Sequence, residues 1–287
     1  MGMTNDGLSY WQAETEGIDL LEMTIGHLLD RRADELPLQE AVVYSYSPEF
    51  DGIHKVHWTY QEYRERANQV ACGLMALGLH KGDHLAVWAT NQPEWVLLEM
   101  AAAKVGLVLV TVNPAYRAHE LEYVLKQGDV RALFLMARVR DHDCLETLRS
   151  LVTSGTRNGN VSSERLPLLR SVCLLGTVPE GMLEQERWRP TLFREMVTAG
   201  SQISADALQA RQALVRPQDP AQIQYTSGTT GFPKGAILQH RSILNLPPRS
   251  PLPFKVWGGM GVPYFGARTL GLSSVHRKYS LDISCEG

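Results

Sequence analysis

Cysteine is scarce: the 287 residues contain four, Cys72, Cys144, Cys173 and Cys285. None forms a C-x-x-C pair, which excludes a zinc ribbon and a thioredoxin-like motif, and spacing this wide suits reduced thiols rather than a disulfide framework. Long apolar runs are missing too. The most apolar stretch, Leu97 to Val112, is broken by Glu99 and Lys104 and falls short of the roughly 20 residues of a spanning helix. No sign of charge dominates. The net charge is −3, with no basic stripe for nucleic acid and no acidic solvating block. Met1 to Trp11 carries neither a cationic start nor an apolar run, so no signal peptide is read there and the expected location is cytoplasmic. A mitochondrial matrix location stays open, although no transit peptide is visible. The histidines are scattered. The one dense group of ligand types, Asp141-His142-Asp143-Cys144, opens an expected helix, where charged residues commonly cap. No metal site and no catalytic residue is assigned.

What is present is ordinary for a globular protein: 44 % hydrophobic and 21 % charged residues. Thr24 caps an expected helix to Arg32. Ala41–Tyr46 and Lys55–Tyr60 read as strands joined across Asp51-Gly52. Thr59 and Glu62 form a capping box opening a helix whose apolar face is Tyr63, Ala67, Val70, Ala71 and Leu74, ended by Gly78. Strands are expected at His84–Ala89, Leu107–Val112, Ala132–Met136 and Ser171–Leu175. Helices are expected at Asn91–Lys104, Ala118–Lys126 and Asp141–Leu151. Short, nearly all-apolar strands alternating with amphipathic helices mark a parallel-rich sheet covered on both faces, an α/β fold. Trp88 and Trp95 are expected in the core. Glu120 and Glu122 should lie on different sides of one helix rather than act as a carboxylate pair.

The informative segment runs from Ile223 to Gly235 and contains Thr226-Ser227-Gly228-Thr229-Thr230-Gly231-Phe232-Pro233-Lys234. Glycine lets backbone N–H groups turn inward as an anion nest, hydroxyls add short-reach donors, and a lysine places a point charge beside phosphates. It is not a Walker A loop, because Pro233 precedes Lys234 and Gly235 follows it. A flexible Gly/Ser/Thr surface loop is the bland alternative.

This segment resembles, position by position, the phosphate-loop signature of the AMP-binding, adenylate-forming enzymes, which include acyl-CoA synthetases, luciferases and peptide-synthetase adenylation domains. Trp58-Thr59-Tyr60-Gln61-Glu62, Gly78-Leu79-His80-Lys81-Gly82-Asp83 and Val112-Asn113-Pro114-Ala115-Tyr116 are similar to further elements of that family, in the same order. Arg117 to Tyr123 looks most like its fatty-acyl-CoA synthetase branch. The resemblance implies an AMP-forming acid–thiol ligase that uses ATP, Mg²⁺ and coenzyme A. A carboxylate, here a fatty acid, attacks the α-phosphate to give acyl-AMP and pyrophosphate, and a thiol then displaces AMP. It assigns Thr226, Ser227, Gly228, Thr229, Thr230, Gly231 and Lys234 to holding the β- and γ-phosphates.

After His240-Arg241-Ser242-Ile243-Leu244-Asn245 the resemblance stops. The "Y-G-x-T-E" and "T-G-D" motifs and the C-terminal lysine of the family are absent from this sequence. Residues 246–287 hold five of the 15 prolines and six of the 24 glycines and carry a charge of +3 against −6 for the rest. The expected division is an N-terminal extension (1–23), a partial AMP-binding domain (24–245) and a divergent tail (246–287). Weak or no adenylation is expected of this chain alone, since a phosphate loop without ribose, adenine and metal contacts has little differential hold on a transition state. The alternative is a non-catalytic phosphate-binding or interaction fragment of the same fold.

Overall fold

The computed structural model describes residues 20–45, 55–156, 159–176, 183, 188–226 and 233–245. The Asp51-Gly52 turn, the first 19 residues and the tail lie outside them. In chain order the elements are α1 (Ile25–Glu35), β1 (Glu40–Ser45), β2 (Lys55–Thr59), α2 (Tyr60–Ala76), β3 (His84–Trp88), α3 (Pro93–Val105), β4 (Val108–Val112), α4 (Ala118–Gln127) and β5 (Val130–Met136). Then come β6 (Arg138–Val139), β7 (His142–Asp143), α5 (Cys144–Arg149), β8 (Ser154–Gly155), β9 (Val161–Ser162), β10 (Ser171–Leu175), β11 (Thr191–Leu192) and α6 (Phe193–Ala199). A short 3-10 turn at Gly200–Gln202, α7 (Ala205–Ala213), β12 (Pro220–Thr226), β13 (Lys234–Gln239) and α8 (His240–Leu244) complete the list.

Seven strands form the main sheet in the order β11-β10-β5-β3-β4-β12-β13. All neighbours are parallel except β12 and β13, which pair antiparallel. Alternation along each strand splits the core in two. Leu85, Val87, Leu109, Phe134 and Cys173 face one layer with α1, α2, α3, α6 and α7. Ala86, Trp88, Val110, Leu133, Val172, Ile223 and Tyr225 face the other layer with α4 and α5. The helix after β3 lies on one face. The helix after β4 lies on the other, because the chain there reverses direction across the sheet and crossovers keep one hand. The parallel-rich α/β architecture read from the sequence is the one observed.

Local signals explain the element ends. Thr24 Oγ1 accepts from His27 N at 3.2 Å, and the capping box closes with Glu62 N to Thr59 Oγ1 at 3.2 Å and Thr59 N to Glu62 Oε2 at 2.8 Å. Helix α3 begins with Pro93 and stops at Gly106, whose φ of 72° lets its N–H return to the Ala102 carbonyl. That corrects the expected start at Asn91, because Pro93 fits the first helical position. The expected helix Asp141–Leu151 is also shorter, Cys144–Arg149. Asp143 Oδ1 caps it by accepting from Glu146 N at 2.8 Å, and His142 belongs to the short ladder with Val139. Trp88 and Trp95 are buried as expected. Glu120 accepts from Arg117 N, whereas Glu122 pairs with Lys126 and Arg165 on another side. The Arg165 guanidinium, with Lys126, holds the Glu122 carboxyl down at about 2. Among the described residues no helix is long and apolar enough to cross a membrane.

Candidate functional site

Strand β12 buries Ala221, Ile223 and Tyr225 and carries the chain to Thr226 at its carboxyl end, next to the carboxyl end of its parallel neighbour β4 (Gln224 opposite Thr111). The chain returns at Lys234, which stands directly opposite Thr226 in the antiparallel register. Ser227, Gly228, Thr229, Thr230 and Gly231 lie between, outside the described residues. The structure therefore places two of the seven expected phosphate-holding residues, Thr226 and Lys234, and brings them together at the mouth of one hairpin. Thr226 Oγ1 donates to the Lys234 carbonyl at 3.5 Å. Both side chains are exposed, and Lys234 has no carboxylate partner among the described residues.

The hairpin is fastened to α4 by tyrosines. Tyr123 Oη donates to the Pro233 carbonyl at 3.2 Å, and Tyr225 Oη donates to the Val124 carbonyl at 3.4 Å. Burial, helped by Tyr123, Asp129 and Tyr116, pushes the Tyr225 phenol up to about 12, so it stays a donor at any working pH. Gly235 sits against Tyr225. A Cβ there would meet Ile223 Cγ2 at 3.0 Å and the Tyr225 ring at 3.3 Å, which explains a glycine directly after Lys234. On the opposite face of β12 runs a buried polar chain. Gln224 Nε2 donates to Gln222 Oε1 at 3.1 Å, and Gln222 Nε2 donates to Glu99 Oε1 of α3 at 2.5 Å.

This polar chain was missed in the sequence. The signal was there: glutamines at alternate positions of a buried strand, and a glutamate inside an apolar helix, must find one another. The same holds for Lys104, whose ammonium donates to Asp30 Oδ1 at 2.5 Å and Gln212 Oε1 at 3.3 Å, tying α3 to α1 and α7.

Helix α8 follows the hairpin and packs on α1. Its first residue, His240, is fully buried, and its Nδ1 accepts from Ile25 N at 3.4 Å, so the ring proton sits on Nε2. Asn245 closes the contact: its Oδ1 accepts from Leu21 N at 2.8 Å and its Nδ2 donates to the Leu21 carbonyl at 3.0 Å. Burial pushes His240 down to about 4, with Asp219 opposing and His27 and Lys81 reinforcing the shift. A histidine kept neutral in the fold contributes stability that is fully present above about pH 6.5 and is lost as pH falls through its folded value. Because other buried groups titrate in the same window, the loss is read as a difference: the gap in thermal midpoint between the unmodified protein and His240→Gln should change steadily from pH 7 to pH 4, to the disadvantage of the unmodified protein. An unchanged slope in the variant would assign the acid sensitivity elsewhere. Among the described residues no group of three or more His, Cys, Asp or Glu is placed to hold a metal ion.

A parallel-rich sheet covered on both faces, with Thr226 and Lys234 brought opposite each other at its edge, defines an α/β protein. Comparison with known proteins narrows that class. Residues 29–247 match the AMP-binding enzyme family, and the chain belongs to it. It is 38 % identical over 230 residues to the putative acyl-CoA synthetase YngI of Bacillus subtilis, covering 79 % of this chain and 39 % of that protein. It is 37 % identical over 242 residues to the human mitochondrial medium-chain acyl-CoA ligase ACSF2, covering 83 % of this chain and 37 % of that protein. The chain thus spans less than two fifths of the length of these relatives. Among solved structures, the fold is similar to that of a long-chain-fatty-acid-CoA ligase (FadD1) from Archaeoglobus fulgidus. The TM-score is 0.58 at 22 % identity, covering 78 % of this chain and 38 % of that one. The anthranilate CoA ligase AuaEII gives a TM-score of 0.55 at 20 % identity, covering 80 % and 37 %.

Proposed function

We propose that this chain is the phosphate-holding part of an ATP-dependent acyl-CoA synthetase acting on fatty acids, and that alone it binds polyphosphate without adenylating a carboxylate. The single observation that carries the reading is the hairpin mouth. Thr226 and Lys234, which has no carboxylate partner among the described residues, stand opposite each other in the register on either side of residues 227–232, inside a match to AMP-binding enzymes. In the proposed reaction the fatty-acid carboxylate attacks the α-phosphate of ATP, and pyrophosphate leaves with the β- and γ-phosphates. Lys234 supplies a fixed positive charge, and Thr226 and the hydroxyls and amides of Ser227 to Gly231 supply donors. Preorganised charge of this kind neutralises the departing group without reorganisation at the moment of reaction. Magnesium, when bound to ATP, spreads the same negative charge, and no ligand for it is assigned among the described residues. Coenzyme A, the thiol of the second half-reaction, is assigned none either.

Titration calorimetry of the full chain with pyrophosphate and ATP tests the binding half. Lys234→Ala should weaken pyrophosphate binding about 10- to 100-fold, the equivalent of one charge-assisted contact of roughly 1.5–3 kcal/mol. Equal affinity of the two proteins would remove the phosphate role. The catalytic half is tested by carboxylate-dependent pyrophosphate exchange, which this chain should not support. Turnover with a fatty acid would show that the groups needed for adenylation are already in it.

A further inference from the structure

A line of side chains runs from the core on the α3 side of the sheet towards the hairpin mouth. Glu99 of α3 and Gln222 of β12 are 4 % and 3 % exposed, and Gln224, two residues on, is half-buried. Gln222 Nε2 donates to Glu99 Oε1 at 2.5 Å, and Gln224 Nε2 donates to Gln222 Oε1 at 3.1 Å. Side chains two apart on a strand share a face. Ile223 and Tyr225 belong to the α4 layer, so Gln222, Gln224 and Thr226 lie on the α3 face. Lys234 stands opposite Thr226 in the antiparallel register and shares that face. The line therefore starts at a buried carboxyl and ends at the neighbour of Thr226 and Lys234.

The line has a direction. A carboxylate accepts and never donates, so Gln222 must turn its nitrogen to Glu99 and its oxygen to Gln224. Gln224 must then turn its nitrogen back, which leaves its oxygen for the Thr226 end. The Thr226 hydroxyl and the Lys234 ammonium are donors that an oxygen on the same face can orient. A cross-link that only fastened α3 to β12 needs no acid. Two apolar side chains of the same shape would serve it about as well, since a buried carboxyl is costly to ionise.

We infer that Glu99 is a positioning residue for the phosphate-holding hairpin, setting the direction of the glutamine line and, through its ionisation, the affinity of the hairpin for polyphosphate. The inference rests on the proposed phosphate role of Thr226 and Lys234. Burial raises the Glu99 carboxyl to about 8, against the pull of Gln222, so its charge appears within a workable pH range. Tyr63 of α2 faces it. Burial and the Glu99 charge hold that phenol well above its usual value, so it stays protonated. Lys104, further along α3, is spent on Asp30 of α1 and Gln212 of α7. A negative charge in the interior repels an anion held at the end of the same line. The effect is reciprocal: ionisation lowers affinity, and a bound polyphosphate favours the protonated acid.

Pyrophosphate titrated calorimetrically into the full chain and into Glu99→Gln, from pH 6.5 to 9, tests the coupling. The ligand and Lys234 titrate alike in both, so the readout is the ratio of the two dissociation constants. That ratio should move about threefold or more, to the disadvantage of the unmodified protein, with its midpoint near pH 8. At pH 8, in buffers of different ionisation enthalpy, binding should draw more protons into the unmodified protein than into the variant. At pH 6.5, Glu99→Leu should bind about threefold or more weakly, and Glu99→Gln should restore the affinity. If Glu99→Leu does not fold, the pH comparison with Glu99→Gln still decides. A flat ratio, equal proton uptake, or a Glu99→Leu protein that binds as tightly as the unmodified one overturns the inference. Equal affinity of Lys234→Ala and the unmodified protein would instead remove the phosphate role itself, so the two can fail separately.

Discussion

Phe134→Ala should lower the unfolding free energy by about 3–5 kcal/mol, the range for truncating a fully buried aromatic side chain. Phe134 is wholly inaccessible, sits mid-strand in β5, and stands opposite Val87 of β3 and Cys173 of β10. Its ring fills the layer between the sheet and the helices on the α2 side. The surrounding strands are held in register by both neighbours, so the site has little room to collapse and most of the cavity cost should remain. Against the roughly 5–15 kcal/mol that stabilises an ordinary domain, the loss is large. Urea unfolding followed by circular dichroism checks it, with Leu38→Ala as the control. Leu38 is 83 % exposed, and its removal should change stability by no more than about 0.5 kcal/mol. A loss near zero for Phe134→Ala would contradict the packing of β5 against that layer.

Glu99→Gln should make the protein more stable above about pH 8 and remove much of its sensitivity to alkali. Glu99 is buried, and Gln222 satisfies only Oε1, while Oε2 has no hydrogen-bond partner among the described residues. Burial pushes its carboxyl up to about 8, with the Gln222 bond pulling the other way. The folded value thus lies above the ordinary carboxylate value. The folded state binds the extra proton, and its contribution to stability is full below about pH 4.5, shrinks as pH rises and is gone above about 8. At about 1.4 kcal/mol per unit the total is of order 3–5 kcal/mol, an upper bound once the interior relaxes. Glutamine keeps an oxygen to accept from Gln222 and cannot ionise. The slope has the opposite sign to that from His240, so between roughly pH 4.5 and 6.5 the two oppose each other. Unfolding free energy measured from pH 5 to 9 on both proteins decides the matter. Parallel curves would mean that Glu99 does not titrate across that window.

Much of the fold was legible because its signals are local. The Thr59/Glu62 box, the glycines at the ends of α2 and α3, and the apolar runs of β3, β4, β5 and β10 each declare an element from within about ten residues. The seven-residue α6 and the nine-residue α7, with weak apolar faces, declare nothing alone and gain their burial from α2 and α3. The strand order was not legible at all, since β12 reaches β4 across more than a hundred residues. At the candidate site, residues 227–232 stand out by their extreme composition and lie outside the described residues, whereas the side chains that brace the hairpin beside them were not legible. Glu99, Gln222 and Gln224 come from two distant segments, and only the pairing of β12 with β4 over α3 brings them into line. The tyrosine fastening of the hairpin is similar: Tyr123 and Tyr225 are ordinary residues until the sheet sets them side by side.

The amide of Asn245 grips the backbone of Leu21 across a separation of 224 residues. A contact that distant cannot form until nearly everything between its ends has been laid down, because closing so long a loop yields nothing until the sheet has drawn the two segments together. The latch is therefore a late event in folding, and it sits on the helix that directly follows Lys234 and β13. Cutting the chain back past Leu21 should thus be felt first at the far end of the polypeptide, as fraying of α8 and the hairpin ahead of it, with the central strands left intact.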